Sequence, residues 1–181
     1  PIKAGIGKIK ERGAKIIGVN PIRTGYNAVA DEWVGITPGT DGLFILALVH
    51  EVLKAGKIDL HYLAQYTNAP VLIDADTGLL MRDADGKLLI IDRVRGLPAP
   101  FDRAGVNPDL NGTLEKDGKT HHTVFHAMVE RYLSPEYEPE AVAERVGVSA
   151  GRIRAIAAEI ARVAFEEAFD IDQEWTDFRG E

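Results

Sequence analysis

The chain has 181 residues and no cysteine, with 45% hydrophobic and 27% charged residues. That suffices for one domain with its own core, and it excludes disulfides, thiolate zinc sites and cysteine-held iron–sulfur clusters within the segment. Lys and Arg total 21 against 28 Asp and Glu, a net charge of −7, which opposes a broad nucleic-acid footprint or an anionic membrane surface.

No apolar run approaches the roughly 18 residues that span a bilayer, so a soluble segment is expected. The chain opens at Pro1 on a helical pattern with no strand before it. It is read as an excised part of a longer polypeptide, which leaves the compartment open.

Ile2 to Arg12 carries a loose apolar face of Ile2, Ile6 and Ile9, and predicts a helix ended by Gly13. Ala14 to Val19 predicts a short buried strand. Tyr26 to Asp31 has room for one helical turn, and Trp33 to Ile36 predicts a second strand. Asp41 is placed to cap a helix over Gly42 to Ala55. Its run Leu43 to Val49 predicts burial nearly all round.

Asp59 can cap a short helix, Leu60 to Tyr66, and Val71 to Ile73 reads as a strand. Leu79 to Arg82 and Lys87 to Ile91 flank Asp83-Ala84-Asp85-Gly86, a hairpin pattern. Residues 97–120 are rich in Pro, Gly, Asn and Asp and predict an irregular surface insertion. Thr123 to Tyr132 predicts a helix with Val124, Met128 and Val129 inside. Pro139 opens a helix to Val146, Gly147 stops it, and Ser149 caps a last long helix. There Ile153, Ile156, Ala157, Ile160, Ala161, Ala164 and Ala168 form the inner stripe. Asp170 to Glu181 reads as an acidic, aromatic connection.

The stretch Ala14 to Gly42 organises the rest. A strand ends in a polar loop, and a Gly-rich turn then enters a helix. Open α/β sheets build ligand crevices in this way at the carboxyl ends of their strands. Arg23, just past a strand end, has the fork geometry for a phosphate or pyrophosphate. Asp41 at a helix N-terminus competes with a phosphate for the same field. A ligand there should instead present donors, such as a ribose hydroxyl or the guanine Watson–Crick edge. A plain helix cap is the competing role for Asp41.

His121, His122 and His126 suggest a metal, but no carboxylate is placed to complete a site. His50-Glu51 opens like a zincin motif, yet Lys54 stands where the second His belongs. Ala141 to Ala161 has the outline of a DNA-binding helix-turn-helix, with Arg152 and Arg154 towards a groove. The acidic balance opposes it, and the same outline serves as a helical corner. No phosphate-cradling loop, dinucleotide fingerprint or Ser-His-Asp order is present, so no catalytic residue is assigned.

The organising stretch resembles the large catalytic subunits of the molybdopterin oxidoreductases, the dimethyl-sulfoxide-reductase family. That family carries a pattern like V-D-P-R-x-T at a strand end, then A-D, then I-x-P-G-T-D-G-A before a buried Leu/Ala-rich helix. Here the counterparts are Val19-Asn20-Pro21-Ile22-Arg23-Thr24, Ala30-Asp31, and Ile36-Thr37-Pro38-Gly39-Thr40-Asp41-Gly42. Ile58-Asp59 through Tyr66-Thr67-Asn68 is similar to D-x-x-F-L-x-x-Y-T-N. Pro139 to Ile160 is similar to the family's P-E-x-A-x-x-x-G-V corner. Asn20 departs from the pattern, since the family often has Asp there and an amide accepts less strongly than a carboxylate.

The resemblance implies an α/β fold: a three-layer αβα, Rossmann-like dinucleotide-binding domain with a mainly parallel sheet, truncated, with a β-hairpin and a C-terminal helical part. Residues 1–181 would form one partial domain. It would hold one of two molybdopterin guanine dinucleotides that chelate a single molybdenum or tungsten elsewhere in the subunit. By the same resemblance Asn20, Pro21, Arg23 and Thr24 line the nucleotide end, and Gly39, Thr40 and Asp41 meet the guanosine. The whole prokaryotic enzyme, cytoplasmic or periplasmic, would oxidise or reduce a sulfur oxyanion, a sulfoxide, formate or a similar small substrate. Any iron–sulfur cluster would lie outside this segment. The implied partners are the remaining domains of the same polypeptide, a membrane anchor and an iron–sulfur electron-transfer subunit, with no nucleic acid and no direct membrane contact. The segment alone would not be catalytic. The rival readings are a stand-alone α/β nucleotide-binding protein and a helix-turn-helix DNA-binding module.

Overall fold

The structure, a computed structural model, describes residues 2–168 together with 174 and 176. The acidic connection expected over Asp170 to Glu181 lies almost wholly outside the described residues. Helix α1, Ile2–Glu11, ends at Gly13 with φ of 89°, a left-handed value that glycine adopts without a Cβ penalty. Strand β1, Ile17–Val19, pairs in parallel with β2, Glu32–Val34. A 3-10 turn, Gly25–Ala28, lies between them. Lys10 Nζ ties α1 to this unit by donating to the Val29 carbonyl at 3.0 Å and pairing with Asp31 at 2.8 Å. Asp31 also accepts the Ile16 N–H at 2.8 Å. The Lys10 ammonium, then that backbone donor, hold its carboxyl below the ordinary range.

Helix α2, Asp41–Lys54, follows β2. The short α3, Leu60–Tyr66, is capped by Asp59, which accepts the Tyr62 N–H at 2.8 Å. Five strands then pair antiparallel: β3, Leu72–Asp74; β4, Leu89–Asp92; β5, Leu97–Pro100; β6, Thr113–Lys116; and β7, Lys119–Thr123. β4 and β5 form one hairpin, and β3, β7 and β6 form a three-stranded sheet in that order. Helices α4, Val124–Tyr132, α5, Pro139–Val146, and α6, Ala150–Glu166, close the chain.

The main core lies on one face of β1–β2. Val34 and Ile36 meet Phe44, Ala47 and Leu48 of α2, Val142 and Val146 of α5, and Ile153, Ile156 and Ala157 of α6. A second cluster joins α3 and α4 through Ala64, Leu110 and Phe125, and a third lies within the antiparallel strands around Leu72, Leu89 and Ile91. Thr123 locks the last two regions together. Its Oγ1 donates to the Leu110 carbonyl and accepts the His126 N–H that caps α4.

The mixed α/β class agrees with expectation, as do the caps at Asp59 and Ser149 and the stop at Gly147. The sheet differs. Among the described residues parallel pairing is confined to β1–β2; β4–β5 and β6–β7 are joined by short turns that permit only antiparallel neighbours, and β3 also pairs antiparallel with β7. Residues 97–120 are not irregular throughout, since they contain β5, β6 and the start of β7, and the longest stretch without a named strand or helix is 101–112. β5 accommodates Pro98 and Pro100. They alternate with Ala99, and Phe101 N–H donates to the Leu88 carbonyl at 2.9 Å, so the missing proline N–H groups point away from the ladder. The expected 79–91 hairpin is short: the bridge between Arg82 and Leu88 is closed by Asp83 N–H to the Lys87 carbonyl and Leu89 N–H to the Met81 carbonyl, both at 3.0 Å, and β4 pairs further with β5. Ile45 is 55% exposed, so α2 is not buried all round. Within the expected α6 stripe, Ile160, Ala164 and Ala168 are exposed, and Ala168 lies beyond the end of the helix.

Two outcomes are expected. A methyl at Gly18 would press into Asn27 Oδ1 and stand 3.2 Å from Ala30 Cβ. Gly18→Ala should therefore lose about 1–3 kcal/mol, read as a lower denaturation midpoint in urea. Asp74 binds Lys119 at 2.8 Å and accepts the Asp76 and Thr77 N–H groups, and the Lys119 ammonium leads in holding its carboxyl well below the ordinary range. A depressed folded pKa stabilises fully above the unfolded value, about 4, and the gain is lost as pH falls through the folded value. The melting-temperature gap between wild type and Asp74→Asn should be full at pH 5–7 and shrink in more acid solution.

Candidate functional site

Parallel strands release their following loops at the same edge, and here Val19 and Val34 are direct register partners. The loop over 20–24 therefore emerges beside the loop that runs from 35 into α2. The sequence singled out both. Asn20 is half-buried, and its N–H donates to the Val34 carbonyl at 3.1 Å. Its Oδ1 accepts the Ile22 N–H at 3.1 Å, a side-chain turn that shapes the loop. Pro21, Arg23 and Thr24 are exposed. Thr24 donates its N–H to the Ile22 carbonyl and accepts from the Asn27 N–H, both at 3.1 Å.

In the second loop Gly39 has φ of 82° and open space where a Cβ would stand. Thr40 Oγ1 donates to the Thr37 carbonyl at 2.7 Å. Thr37 N–H donates to the Val146 carbonyl at 2.9 Å, which pins this loop to the end of α5. Asp41 is not the cap. The tight turn over 37–40 makes Thr40 the cap residue, and its side chain makes no capping bond. Asp41 is the first residue of α2 and is exposed. The opening turn of α2 thus offers backbone donors without a side-chain partner, beside a free carboxylate.

Two residues absent from the sequence-based candidates belong to this region. Trp33 lies on the face of β2 opposite Val34, and its Nε1 donates to the Asn20 carbonyl at 2.9 Å. The outward position was readable from strand alternation, but the bond was not. Asn27 is 1% exposed, packs on Gly18, and has no hydrogen-bond partner for Oδ1.

The other sequence candidates fall elsewhere. His121 and His122 lie on β7 and His126 on α4, and the rings of His122 and His126 stack at 4.9 Å. Among the described residues no group of three or more His, Asp or Glu is placed to hold a metal ion. Arg152 pairs with Glu32, and Arg154 binds Glu140 at 2.6 and 2.5 Å and stands 3.4 Å from Glu51. The Glu140 hydrogen bond raises the pKa of Arg154 and lowers that of Glu140. Both arginines of the helix-turn-helix outline are thus spent within the molecule, which makes this a packing corner. Cavities of about 320 and 180 Å³ lie away from the two loops, the larger between α3 and residues 107–111. Among the described residues no helix is long and apolar enough to cross a membrane.

The chain is 37% identical over 193 residues to a sulfite dehydrogenase subunit of Allochromatium vinosum, an alignment covering 98% of this chain and 20% of that protein. It is 33% identical over 157 residues to a putative dimethyl sulfoxide reductase catalytic subunit of Halobacterium salinarum, covering 82% and 18%. It is 25% identical over 171 residues to the alpha chain of dimethylsulfide dehydrogenase of Rhodovulum sulfidophilum, covering 84% and 19%. The chain belongs to the dimethyl-sulfoxide-reductase family of molybdopterin oxidoreductase catalytic subunits. It spans about a fifth of the length of the curated relatives it matches. No protein-family model matches it.

Within this oxidoreductase segment the turn at Asn20 has its own test. Asn20→Ala should leave the melting temperature near wild type while the Ile22 amide loses about 1 kcal/mol of protection, roughly five-fold faster hydrogen exchange.

Proposed function

We propose that this chain is the part of a molybdenum or tungsten oxidoreductase that grips the nucleotide end of one molybdopterin guanine dinucleotide. The observation that carries the reading is the Val19–Val34 register, which releases the loops over 20–24 and 35–41 at one strand edge. The residues present fit such a group. Arg23 has no ion-pair partner among the described residues and suits the pyrophosphate. Asn20, Pro21 and Thr24 shape the loop around it. Gly39 allows close backbone approach, and Thr40 and Asp41 present the α2 terminus to the guanosine.

On this reading β1–β2 belongs to a three-layer, Rossmann-like sheet completed by the rest of the polypeptide. The bound cofactor chelates the metal at which electrons are exchanged. This chain binds and orients its nucleotide end and carries no catalytic residue. The three relatives described are named for sulfur compounds, which favours a sulfur oxyanion or sulfoxide as substrate over formate. The partners of the whole protein are its remaining domains, a membrane anchor and an iron–sulfur electron-transfer subunit. Nucleic acid is not a partner.

An amide-resolved NMR titration tests the nucleotide site. GDP should shift the amides of Asn20, Ile22, Arg23, Thr24 and Gly39 to Asp41 at lower concentration than ADP. Asp41→Asn should weaken GDP roughly ten-fold while leaving ADP nearly unchanged, because only guanine presents two N–H donors to one carboxylate. Equal response to both nucleotides in the wild type would sink the guanine assignment.

A further inference from the structure

We infer that Trp33 is a positioning residue of this site, a strut from β2 that fixes the β1 loop at the shared edge. The inference rests on the nucleotide-binding reading above and adds to it a residue outside both loops.

The strut follows from three constraints. Val34 points into the core, so its neighbour Trp33 must leave by the opposite face of β2. On that face the register partner of Trp33 is Gly18, already covered by Asn27 and Ala30. The indole therefore leans along β2 towards its carboxyl end and lies over Gly35. A Cβ on Gly35 would stand 2.9 Å from both Cη2 and Cζ2 of the indole. From there Nε1 reaches the Asn20 carbonyl at 2.9 Å.

The indole has one donor and no acceptor, so this contact fixes a single direction. Among the described residues Asn20 is otherwise held by backbone partners, through the Val34 carbonyl and the Ile22 N–H. Trp33 is the side chain that links the loop over 20–24 to the strand that launches the loop over 35–41. It remains 37% exposed. A ring serving only as core filler would be covered, whereas this one stands at the rim where the two loops part. Glycine at position 35 is required because any side chain there would push the indole off the carbonyl.

The test uses the 181-residue chain with three variants, Trp33→Phe, Gly35→Ala and Asp41→Asn, and GDP and ADP as probes. Trp33→Phe keeps an aromatic ring and removes the donor. Gly35→Ala keeps the donor and displaces the ring. Both should speed amide exchange at Asn20, Ile22, Arg23 and Thr24 and weaken GDP and ADP in parallel by roughly three- to ten-fold, with melting temperatures near wild type. The GDP to ADP ratio should stay unchanged in these two and fall in Asp41→Asn, a split that general destabilisation would not produce. Unchanged exchange in both Trp33→Phe and Gly35→Ala overturns the strut whatever the nucleotides do. Wild-type binding that both variants retain in full overturns only the role of Trp33. A folded wild type that binds neither nucleotide overturns the site reading and the positioning role together.

Discussion

Ile17, Gly18 and Val19 face Glu32, Trp33 and Val34 across a parallel ladder only three residues long. Such a pair is not stable alone, and parallel strands need cover on both faces. One face is supplied by α2, α5 and α6 around Val34 and Ile36. The other receives Asn27 and Ala30 on Gly18 and the Trp33 ring on Gly35. A slip of one residue would send Trp33 into the core and Val34 to the surface, so side-chain alternation fixes the register. That register in turn decides which two loops leave the sheet together.

Charge reinforces the same pairing from the flank. Lys15, just before β1, reaches Glu159 of α6 at 2.8 Å and Glu32 of β2 at 3.7 Å, and Arg152 of α6 meets Glu32 as well. The Glu159 carboxylate raises the pKa of Lys15, and the Lys15 ammonium lowers that of Glu159. Each exposed pair contributes little by itself. Their value lies in joining both strands to one helix. Arg154 does likewise between α5, α2 and α6 through Glu140 and Glu51. The corner over 141–161 thus holds α2 against the strands, and through the Thr37–Val146 bond it sets where α2 begins.

What sequence disclosed was mostly what local chemistry decides. Gly13, Asp59, Gly147 and Ser149 end or begin helices through contacts within four or five residues, and each was readable. Non-local pairings were not. β5 was hidden by Pro98 and Pro100, which are tolerated because alternate N–H groups face away from β4. The run from Leu43 to Val49 implied all-round burial, but a helix has an outer side whatever its composition, and Ile45 occupies it. Both loop positions in the candidate site were legible as strand ends. Their proximity depends on β1–β2 pairing across the intervening loop and 3-10 turn, and so does the bond from Trp33 to Asn20. Asp41 was misplaced by one residue because the turn over 37–40 winds tightly enough to make Thr40 the cap.

That one-residue shift changes the chemistry of the proposed nucleotide site. A capping carboxylate would turn back onto the helix and consume its first free N–H groups. As the first helical residue, Asp41 is exposed, while Thr40 spends its hydroxyl on Thr37. Donors and an anionic acceptor are then presented side by side, and the carboxylate largely cancels the positive field of the α2 terminus. A phosphate would gain little at such a point. A neutral base that both donates and accepts would gain more, and guanine offers N–H donors beside a carbonyl oxygen. Arg23 of the neighbouring loop has no ion-pair partner among the described residues, so on the proposed reading the negative part of the ligand would lie there. On the proposed reading the two loops would divide a dinucleotide by charge, the phosphates over the β1 end and the base over the β2 end. The register of two strand ends would then set that order.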